Sequence, residues 1–490
     1  MVFLRIAQVL GAIVMAFGLT MLSPLAVSQA YQDGAHHYFM GPMLLTLLLG
    51  LALFIWGKRK ARGVELQARD GILLVGLVWT LLPLLASLPI WLYFDQIGRP
   101  IRFVAAYFEA VSGLTTTGST VLSGLDHLAP SINWWRCFLQ WLGGMGILVL
   151  AVAILPMLGV GGSQLFRAET SGPSKDSKLT PRITETAKGL WTIYAIFSLI
   201  CALAFWLGGM SAFDAWTHMF ATVSLGGLST HDTSFGYFQS PLLEWMAIVF
   251  MLMASCNFAL YFLAFVKRNP GKILQDTEWR ASIGLMVGVS LLITGVLLFK
   301  NVMDDPLYAL RTSLFNVVSI ASTTGFATVD YTLWPIVAPI LMLMLSGVAT
   351  SAGSTGGGIK MARLMILLKQ TRREMNAVIH PRAVQPVTLG GQPVDNKVIF
   401  AVLGFMLVYG ATIIALTLVL LLTDMPFDTA FTAVVASLNN TGPGLNEVGP
   451  AGNYGGLSSL QLWVCTLAMI LGRLEILSFL VLFTPGYWRK

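Results

Sequence analysis

The chain has 490 residues, 56% hydrophobic and only 11% charged, with a formal net charge of +7 and a mean hydropathy of +0.75. Soluble domains carry roughly 25% charged residues, so an ordinary water-soluble protein is excluded. Apolar runs near the ~20 residues that cross a bilayer as a helix recur from end to end. No polar stretch approaches the ~50 residues of a separate soluble domain, which excludes an attached nucleotide-binding or catalytic module.

In chain order, apolar spans are expected near 3–23, 38–56, 71–94, 132–156, 187–208, 242–266, 281–300, 334–368, 396–422 and 459–483. The fold class is an all-α polytopic membrane protein with about ten crossings. The first span admits two readings. Arg5, the apolar stretch 6–22 and Ala26-Val27-Ser28-Gln29-Ala30 have the layout of a signal peptide. The run is longer than a usual signal core, so a retained helix is preferred. Cys137, Cys201, Cys256 and Cys465 all lie in apolar segments without paired spacing and read as small buried hydrophobes.

Charge is sorted by side. With a cytoplasmic N-terminus, 24 of the 30 Lys and Arg fall on inward segments, as the positive-inside rule requires. Arg99, Arg102, Arg136, Lys300 and Arg311 fall outward, and Arg473 lies within the last span. Thirteen acidic residues face outward, including Asp126, Asp214, Asp232, Asp330 and Glu447. Outer loops poor in Lys and Arg would show this bias anyway; the functional reading is a negative vestibule that concentrates cations.

A period of roughly 100–120 residues underlies the pattern. Four times a span leads outward into a short amphipathic stretch, at 102–114, 212–224, 305–322 and 426–438. A cluster of small and hydroxyl residues follows, then a returning span. Stretches this short suit re-entrant helices that stop partway through the membrane. The chain divides into a two-helix extension at 1–70 and pore repeats at 71–160, 187–268, 281–372 and 396–490.

The clusters carry the chemistry. They read Leu114-Thr115-Thr116-Thr117-Gly118-Ser119, Ser224-Leu225-Gly226-Gly227-Leu228-Ser229, Ser322-Thr323-Thr324-Gly325-Phe326-Ala327 and Asn439-Asn440-Thr441-Gly442-Pro443-Gly444. One such cluster would be a loop; four at matching points of four repeats are not explained that way. Irregular backbone at membrane depth survives only where protein or a water-filled path encloses it. Glycine at positive φ lets successive carbonyls point the same way. Four loops around one axis would form a ring of oxygens able to replace a cation's hydration shell, with the partially negative helix C-termini aimed at it.

These repeats, each with one such glycine, resemble the superfamily of K⁺ transporters that includes the Trk, Ktr and plant HKT proteins. Ser351-Ala352-Gly353-Ser354-Thr355-Gly356-Gly357-Gly358-Ile359-Lys360 is similar to that family's third-repeat signature. The helix pair before the first repeat and residues 223–237 point to its bacterial Trk-type membrane subunits. The resemblance covers about residues 1–485. It implies K⁺ bound at Gly118, Gly227, Gly325 and Gly442 with their neighbours Thr116, Thr117, Leu225, Gly226, Thr323, Thr324, Asn440 and Thr441. Leu225-Gly226-Gly227 departs from the Thr-x-Gly pattern, so either glycine of repeat two could face the ion. No repeat has the second glycine and tyrosine of K⁺-channel filters, which implies a shorter filter.

The third returning span is interrupted by small residues at 347–358, where each glycine costs about 0.8–1 kcal/mol of helix propensity relative to Ala. A phosphate-binding loop is disfavoured, because Ile359 rather than a Lys-Ser/Thr pair follows Gly358. A helix-packing seam remains open. The resemblance implies instead an unwound intramembrane gate below the filter, formed by Gly347, Thr350, Ser351, Gly353, Gly356, Gly357, Gly358 and Lys360, with Arg473 in the pore. A structural ion pair is the alternative for Arg473, although Glu475 lies on a different helical face. Asn257 reads as a packing residue. No His-Glu-x-x-His, Gly-x-Ser-x-Gly or paired intramembrane aspartate occurs, so no enzyme is expected.

The resemblance also implies a multi-pass protein of the bacterial inner membrane with both termini cytoplasmic, working as a homodimer on a cytosolic ring of Rossmann-type subunits that bind NAD(H) or ATP. This chain itself would bind no nucleotide. Lys369, Arg372, Arg373 and Arg382 could serve as docking surface or as ordinary inward anchors. An ion-coupled (H⁺ or Na⁺) K⁺ symporter on the same repeats is the alternative to a channel-like path.

Overall fold

The computed structural model describes residues 2–60, 68–153, 179–266, 269, 271–382 and 385–488. Arg62, the basic stretch 167–178, Lys267 with Arg268, and Arg489 with Lys490 lie outside the described residues, as does the end of the span expected at 132–156. The described chain is helical apart from loops and one short antiparallel hairpin, Thr388–Leu389 with Gln392–Pro393.

Helices Val2–Thr20, Leu22–Tyr31 and His36–Lys60 precede the repeats. The first packs tightly on the third. A Cβ on Gly11 would meet the backbone of Phe54 and Gly50 at 2.5–2.6 Å, so small residues permit the close approach that membrane helices use in place of a hydrophobic drive. Asp33, in the turn between helices, accepts hydrogen bonds from the N–H of Ala35 and of Ser131, both at 2.9 Å. That ties the extension to the first returning helix.

Four repeats follow. Each runs from an outward helix (Ala68–Gln96, Leu179–Leu207, Thr277–Phe299, Asn396–Leu421) into a short helix (Phe103–Leu114, Ala212–Val223, Pro306–Ala321, Phe427–Leu438). Local chemistry starts two of these short helices. Ser211 accepts from the Asp214 N–H at 3.0 Å, and Asp305, just before Pro306, accepts from the Leu307 N–H at 2.9 Å. Both are helix-capping oxygens for otherwise orphan donors. All but the first residue of Phe103–Leu114 is buried.

The returning helices differ. Pro130–Ala153 is continuous; Pro241–Ala254 and Phe258–Phe265 meet at 86°, and Ser459–Arg473 and Ile476–Phe483 at 111°. In the third repeat, Val337–Ser346 and Met361–Ile379 are separated by the loop through Gly347 and Lys360. Among the described residues six helices are long and apolar enough to cross a membrane, or up to eight crossings if each bent pair is one span. The two expected spans outside that count are 132–156, where Pro130–Ala153 runs to the edge of the described residues, and 334–368, which the loop splits in two.

One sorted charge needs correction. Arg136 is not an outer-surface residue: it is 1% exposed, and its Nε donates to Glu109 Oε1 on the first short helix at 2.8 Å. Arg311 likewise pairs with Glu244 at 2.8 Å. These pairs cancel internally, so the outward excess of acid is unchanged.

Candidate ion pathway

The four short helices end in the same way. The N–H of Thr117, Gly226, Thr324 and Thr441 donates to the carbonyl five residues back, on Ser112, Ala221, Ser319 and Ala436, at 2.8–2.9 Å. The preceding N–H, on Thr116, Leu225, Thr323 and Asn440, donates three residues back at 3.0–3.2 Å. This is the Schellman pattern of helix termination. It needs a left-handed residue, and φ is +53° at Thr116, +55° at Leu225, +63° at Thr323 and +54° at Asn440. None is a glycine; Thr116, Leu225 and Thr323 each cost roughly 1–2 kcal/mol there, and Asn440 less. Strain repeated at four matching places marks a built feature of the kind found at functional sites.

Two residues later φ is positive again, at Gly118 (+84°), Gly227 (+71°), Gly325 (+89°) and Gly442 (+98°). Each glycine abuts the carbonyl oxygen just before the glycine of another repeat. A Cβ on Gly118 would overlap the Gly226 oxygen; one on Gly227, the Thr324 oxygen; one on Gly325, the Thr441 oxygen; and one on Gly442 would lie 2.8 Å from the Thr117 oxygen. The contacts run from repeat one to two, three, four and back to one. The loops form a closed ring.

The ring also fixes the register of repeat two. Gly227 shares the positive φ and the neighbouring carbonyl, whereas Gly226 occupies the place of Thr117, Thr324 and Thr441. Hydroxyls crowd the ring: Thr115 Oγ1 and Thr117 Oγ1 are 2.7 Å apart, as are Ser322 Oγ and Thr324 Oγ1. Asn440 Nδ2 donates to Thr117 Oγ1 at 2.9 Å, and Ser119 Oγ to the Gly442 carbonyl at 2.9 Å, joining the last repeat to the first. Thr116 Oγ1, Thr441 Oγ1 and Asn440 Oδ1 are buried without a protein partner, a set of oxygens suited to a cation.

Beneath the ring the three helix breaks converge. The Ser351 N–H donates to the Ser255 carbonyl at 3.1 Å, and the Phe258 N–H to the Gly353 carbonyl at 3.2 Å, so the loop of repeat three seats on the break of repeat two. It also rises to the ring: Thr355 Oγ1 donates to the Val223 carbonyl at 3.1 Å, and the Gly357 N–H to Thr323 Oγ1 at 2.9 Å. Gly357 presses on the Asn439 carbonyl so closely that no Cβ would fit. Gly358 at φ +78° packs on the Gly347 and Ser346 carbonyls, and Thr350 Oγ1 donates to the Gly357 carbonyl at 2.8 Å. Lys360 Nζ donates to the Gly356 carbonyl. Glu278 Oε1 accepts from the N–H of Ala352 (2.7 Å) and of Ala362 (3.1 Å), clasping both ends of the loop.

Arg473 ends the helix before the break of repeat four. It is 4% exposed, and its Nη1 donates to the Thr355 carbonyl of the loop at 2.9 Å. Nε and Nη2 have no hydrogen-bond partner, and the guanidinium lies 6.0 Å from the centroid of the Trp79 ring. Among the described residues no carboxylate pairs with it; Glu475 pairs instead with Arg363 at 2.7 Å.

At the outer end His231 bridges repeats one and two, its ring nitrogens 2.5 Å from Asp126 Oδ1 and 3.2 Å from Asp214 Oδ1, while its ring stacks on Tyr237. Burial disfavours the imidazolium, but hydrogen bonds and charge from the two aspartates outweigh it and raise the pKa above the ordinary histidine value.

The family of cation transport proteins named TrkH matches residues 39–490. The chain belongs to the TrkH family. The Trk system potassium uptake protein TrkH of Vibrio parahaemolyticus is 44% identical over all of both chains, and that of Escherichia coli K12 is 43% identical, again over all of both. The crystal structure of the potassium transporter TrkH from Vibrio parahaemolyticus matches with a TM-score of 0.91 at 41% identity, covering all of both chains.

In this TrkH-family chain the structure gathers the twelve residues of the four clusters into one ring and the loop with Arg473 beneath it. Sequence reasoning missed Gln140, whose Nε2 donates to the Gly226 carbonyl at 2.6 Å and whose Oε1 accepts from the Leu228 N–H at 3.1 Å. An amide deep within an apolar span was its signal. It also missed Tyr454, whose hydroxyl donates to the Gly442 carbonyl at 3.0 Å. Nothing local to that outer loop marked it. Asn257, read as packing, touches the loop, since a Cβ on Gly353 would meet its Oδ1 at 2.5 Å.

Proposed function

We propose that this chain takes up K⁺ across the bacterial inner membrane, with the four-glycine ring as selectivity filter. The closed order of contacts, each glycine against the next repeat's carbonyl, carries the reading. It brings four strained loops and four helix C-termini, whose dipoles favour a cation, to one axis. The relatives are named potassium uptake proteins over their full length. The inward excess of Lys and Arg supports cytoplasmic termini.

The loop through Thr350, Gly353 and Gly357 acts as the gate. It lies directly beneath the ring and is held there by hydrogen bonds with Glu278, Ser255, Phe258, Val223, Thr323 and Arg473. Moving it clears the path; Arg473 moves with it or opposes cations beside it. The resemblance to Trk-type subunits supports a homodimer controlled by a cytosolic ring that binds NAD(H) or ATP, docked on the inner basic segments around Lys369, Arg372, Arg373 and Arg382.

The test is growth rescue of a K⁺-uptake-deficient bacterium at low K⁺, followed by radiolabelled Rb⁺ and Na⁺ flux in vesicles. Rescue with Rb⁺ entering faster than Na⁺ is expected. Membrane-inserted protein that neither rescues growth nor passes Rb⁺ in the presence of its cytosolic partners would overturn the reading.

A further inference from the structure

Three of the four short helices carry a polar residue nine positions before the ring glycine: Glu109 before Gly118, His218 before Gly227, and Asn316 before Gly325. All three are buried, at 1%, 0% and 0% exposure. Each reaches across to the chain that has just left the ring. Glu109 accepts from the Thr120 hydroxyl at 3.0 Å and the Val121 N–H at 2.9 Å. His218 Nδ1 lies 2.9 Å from the Asp214 carbonyl, which can only accept, so Nδ1 carries the proton and Nε2 accepts from the Ser229 hydroxyl at 2.9 Å. Asn316 Nδ2 donates to Thr328 Oγ1 at 2.8 Å, and Oδ1 accepts from the Thr328 N–H at 3.3 Å.

The fourth repeat has Ala433 at that position, and its neighbour takes over. Thr432 Oγ1 accepts from the Leu445 N–H at 3.0 Å while donating to the Asp428 carbonyl at 2.7 Å. The recipients, Thr120 with Val121, Ser229, Thr328 and Leu445, stand two or three residues past their glycines. Each ring segment is thus held twice, below by the helix-terminating bonds and above by a strut from the same helix. Arg136 links two struts, since it pairs with Glu109 and its Nη1 donates to the Ser229 carbonyl at 3.3 Å.

In the size-based account of filter selectivity, a ring of carbonyls left loose can contract around a smaller ion, whereas one held on every side keeps the spacing of the larger. We propose that Glu109, His218, Asn316 and Thr432 are positioning residues that set the preference for K⁺ over Na⁺ by holding the four ring segments apart. This rests on the ring being the filter. The struts touch no ion; they act through the segment they hold.

The experiment compares Rb⁺ with Na⁺ flux for Asn316→Leu, Asn316→Asp and Gly325→Ser in vesicles. The flux ratio does not depend on how much protein folds, so a merely structural role would leave it unmoved. Asn316→Leu removes both hydrogen bonds to Thr328 and should lower the ratio about tenfold, the factor expected from ~1.4 kcal/mol of lost positioning. Asn316→Asp keeps an acceptor for the Thr328 N–H and hydroxyl but loses the Nδ2 bond to the Thr312 carbonyl at 2.8 Å, so it should lower the ratio less than Asn316→Leu does. Where Asn316→Leu fails to insert, Thr328→Val removes the hydroxyl contact from the other side and should shift the ratio the same way. A lowered ratio in Gly325→Ser with an unchanged ratio in Asn316→Leu overturns the strut proposal alone. An unchanged ratio in both overturns the filter reading with it.

Discussion

From its outer loops to the ring the protein follows one plan four times; below the ring it does not. Above, four helices end with the same two hydrogen bonds and the same pair of positive φ values, although the sequences range from Thr-Thr-Gly to Leu-Gly-Gly. Below, the first returning helix is continuous, the second and fourth bend by 86° and 111°, and the third is interrupted by a loop. Surrounding an ion with carbonyls requires matched contributions from every side. Obstructing a path requires material from one side only, with somewhere to rest. On the proposed reading, pseudo-symmetry persists where ion coordination demands it and lapses where a movable gate is needed.

The sharpest way to break that comparison is within repeat two. Gly227→Ala places a Cβ at positive φ against the Thr324 carbonyl, while a Cβ on Gly226 meets the end of the Gln140 side chain. Left-handed strain of ~1–2 kcal/mol together with the backbone overlap should lower Rb⁺ flux more than about a hundredfold for Gly227→Ala. Gly226→Ala, which crowds the Gln140 amide without straining φ or meeting backbone, should lose less. Equal losses in vesicles of matched protein content would mean that repeat two does not share the ring geometry.

Arg473 tests the lower half. Repulsion between unit charges at ~6 Å is about 3 kcal/mol at an effective dielectric near 20, so Arg473→Ala should raise flux by up to about a hundredfold. Arg473→Lys should remain near wild type. Flux that falls only in step with folded protein, scored together by membrane immunoblot and Rb⁺ uptake, would place the residue in the scaffold instead. Deleting residues 350–356 should raise flux by a smaller factor and make it less dependent on the proposed cytosolic ring. A deletion variant that inserts normally yet passes no ion would make the loop a packing seam.

The smallest effect belongs to the outer contact between repeats one and two. Because the folded pKa of His231 is raised, its bridge to Asp126 and Asp214 stabilises the fold fully below the unfolded imidazole pKa of about 6.5. That contribution fades as pH rises through the folded value. For a partly exposed group it amounts to at most about 1 kcal/mol. Thermal unfolding in detergent should therefore show a slight decline in stability above neutral pH that His231→Asn abolishes.

Run lengths and composition located the short helices at nearly their observed bounds, and the small-residue clusters located the breaks in helix geometry after them. Both are local properties: an apolar stretch too short to cross, and residues whose backbone leaves the helix readily, declare themselves without neighbours. The interruption after Gly347 was legible for the same reason. The choice between Gly226 and Gly227 was not, because two adjacent glycines have equal freedom and only the Thr324 carbonyl of another repeat distinguishes them. Arg136 looked like an outer charge until Glu109 stood beside it. Arg473 had no partner legible in sequence because the group it holds is a backbone carbonyl, on Thr355, 118 residues away. The chain by itself thus determined where it crosses, turns and breaks, since hydropathy and backbone freedom act over a few residues. The closure of four loops into a ring, and the seating of one repeat's loop on the breaks of two others, were decided by tertiary structure, because both depend on main-chain groups that every sequence possesses and only the fold brings together.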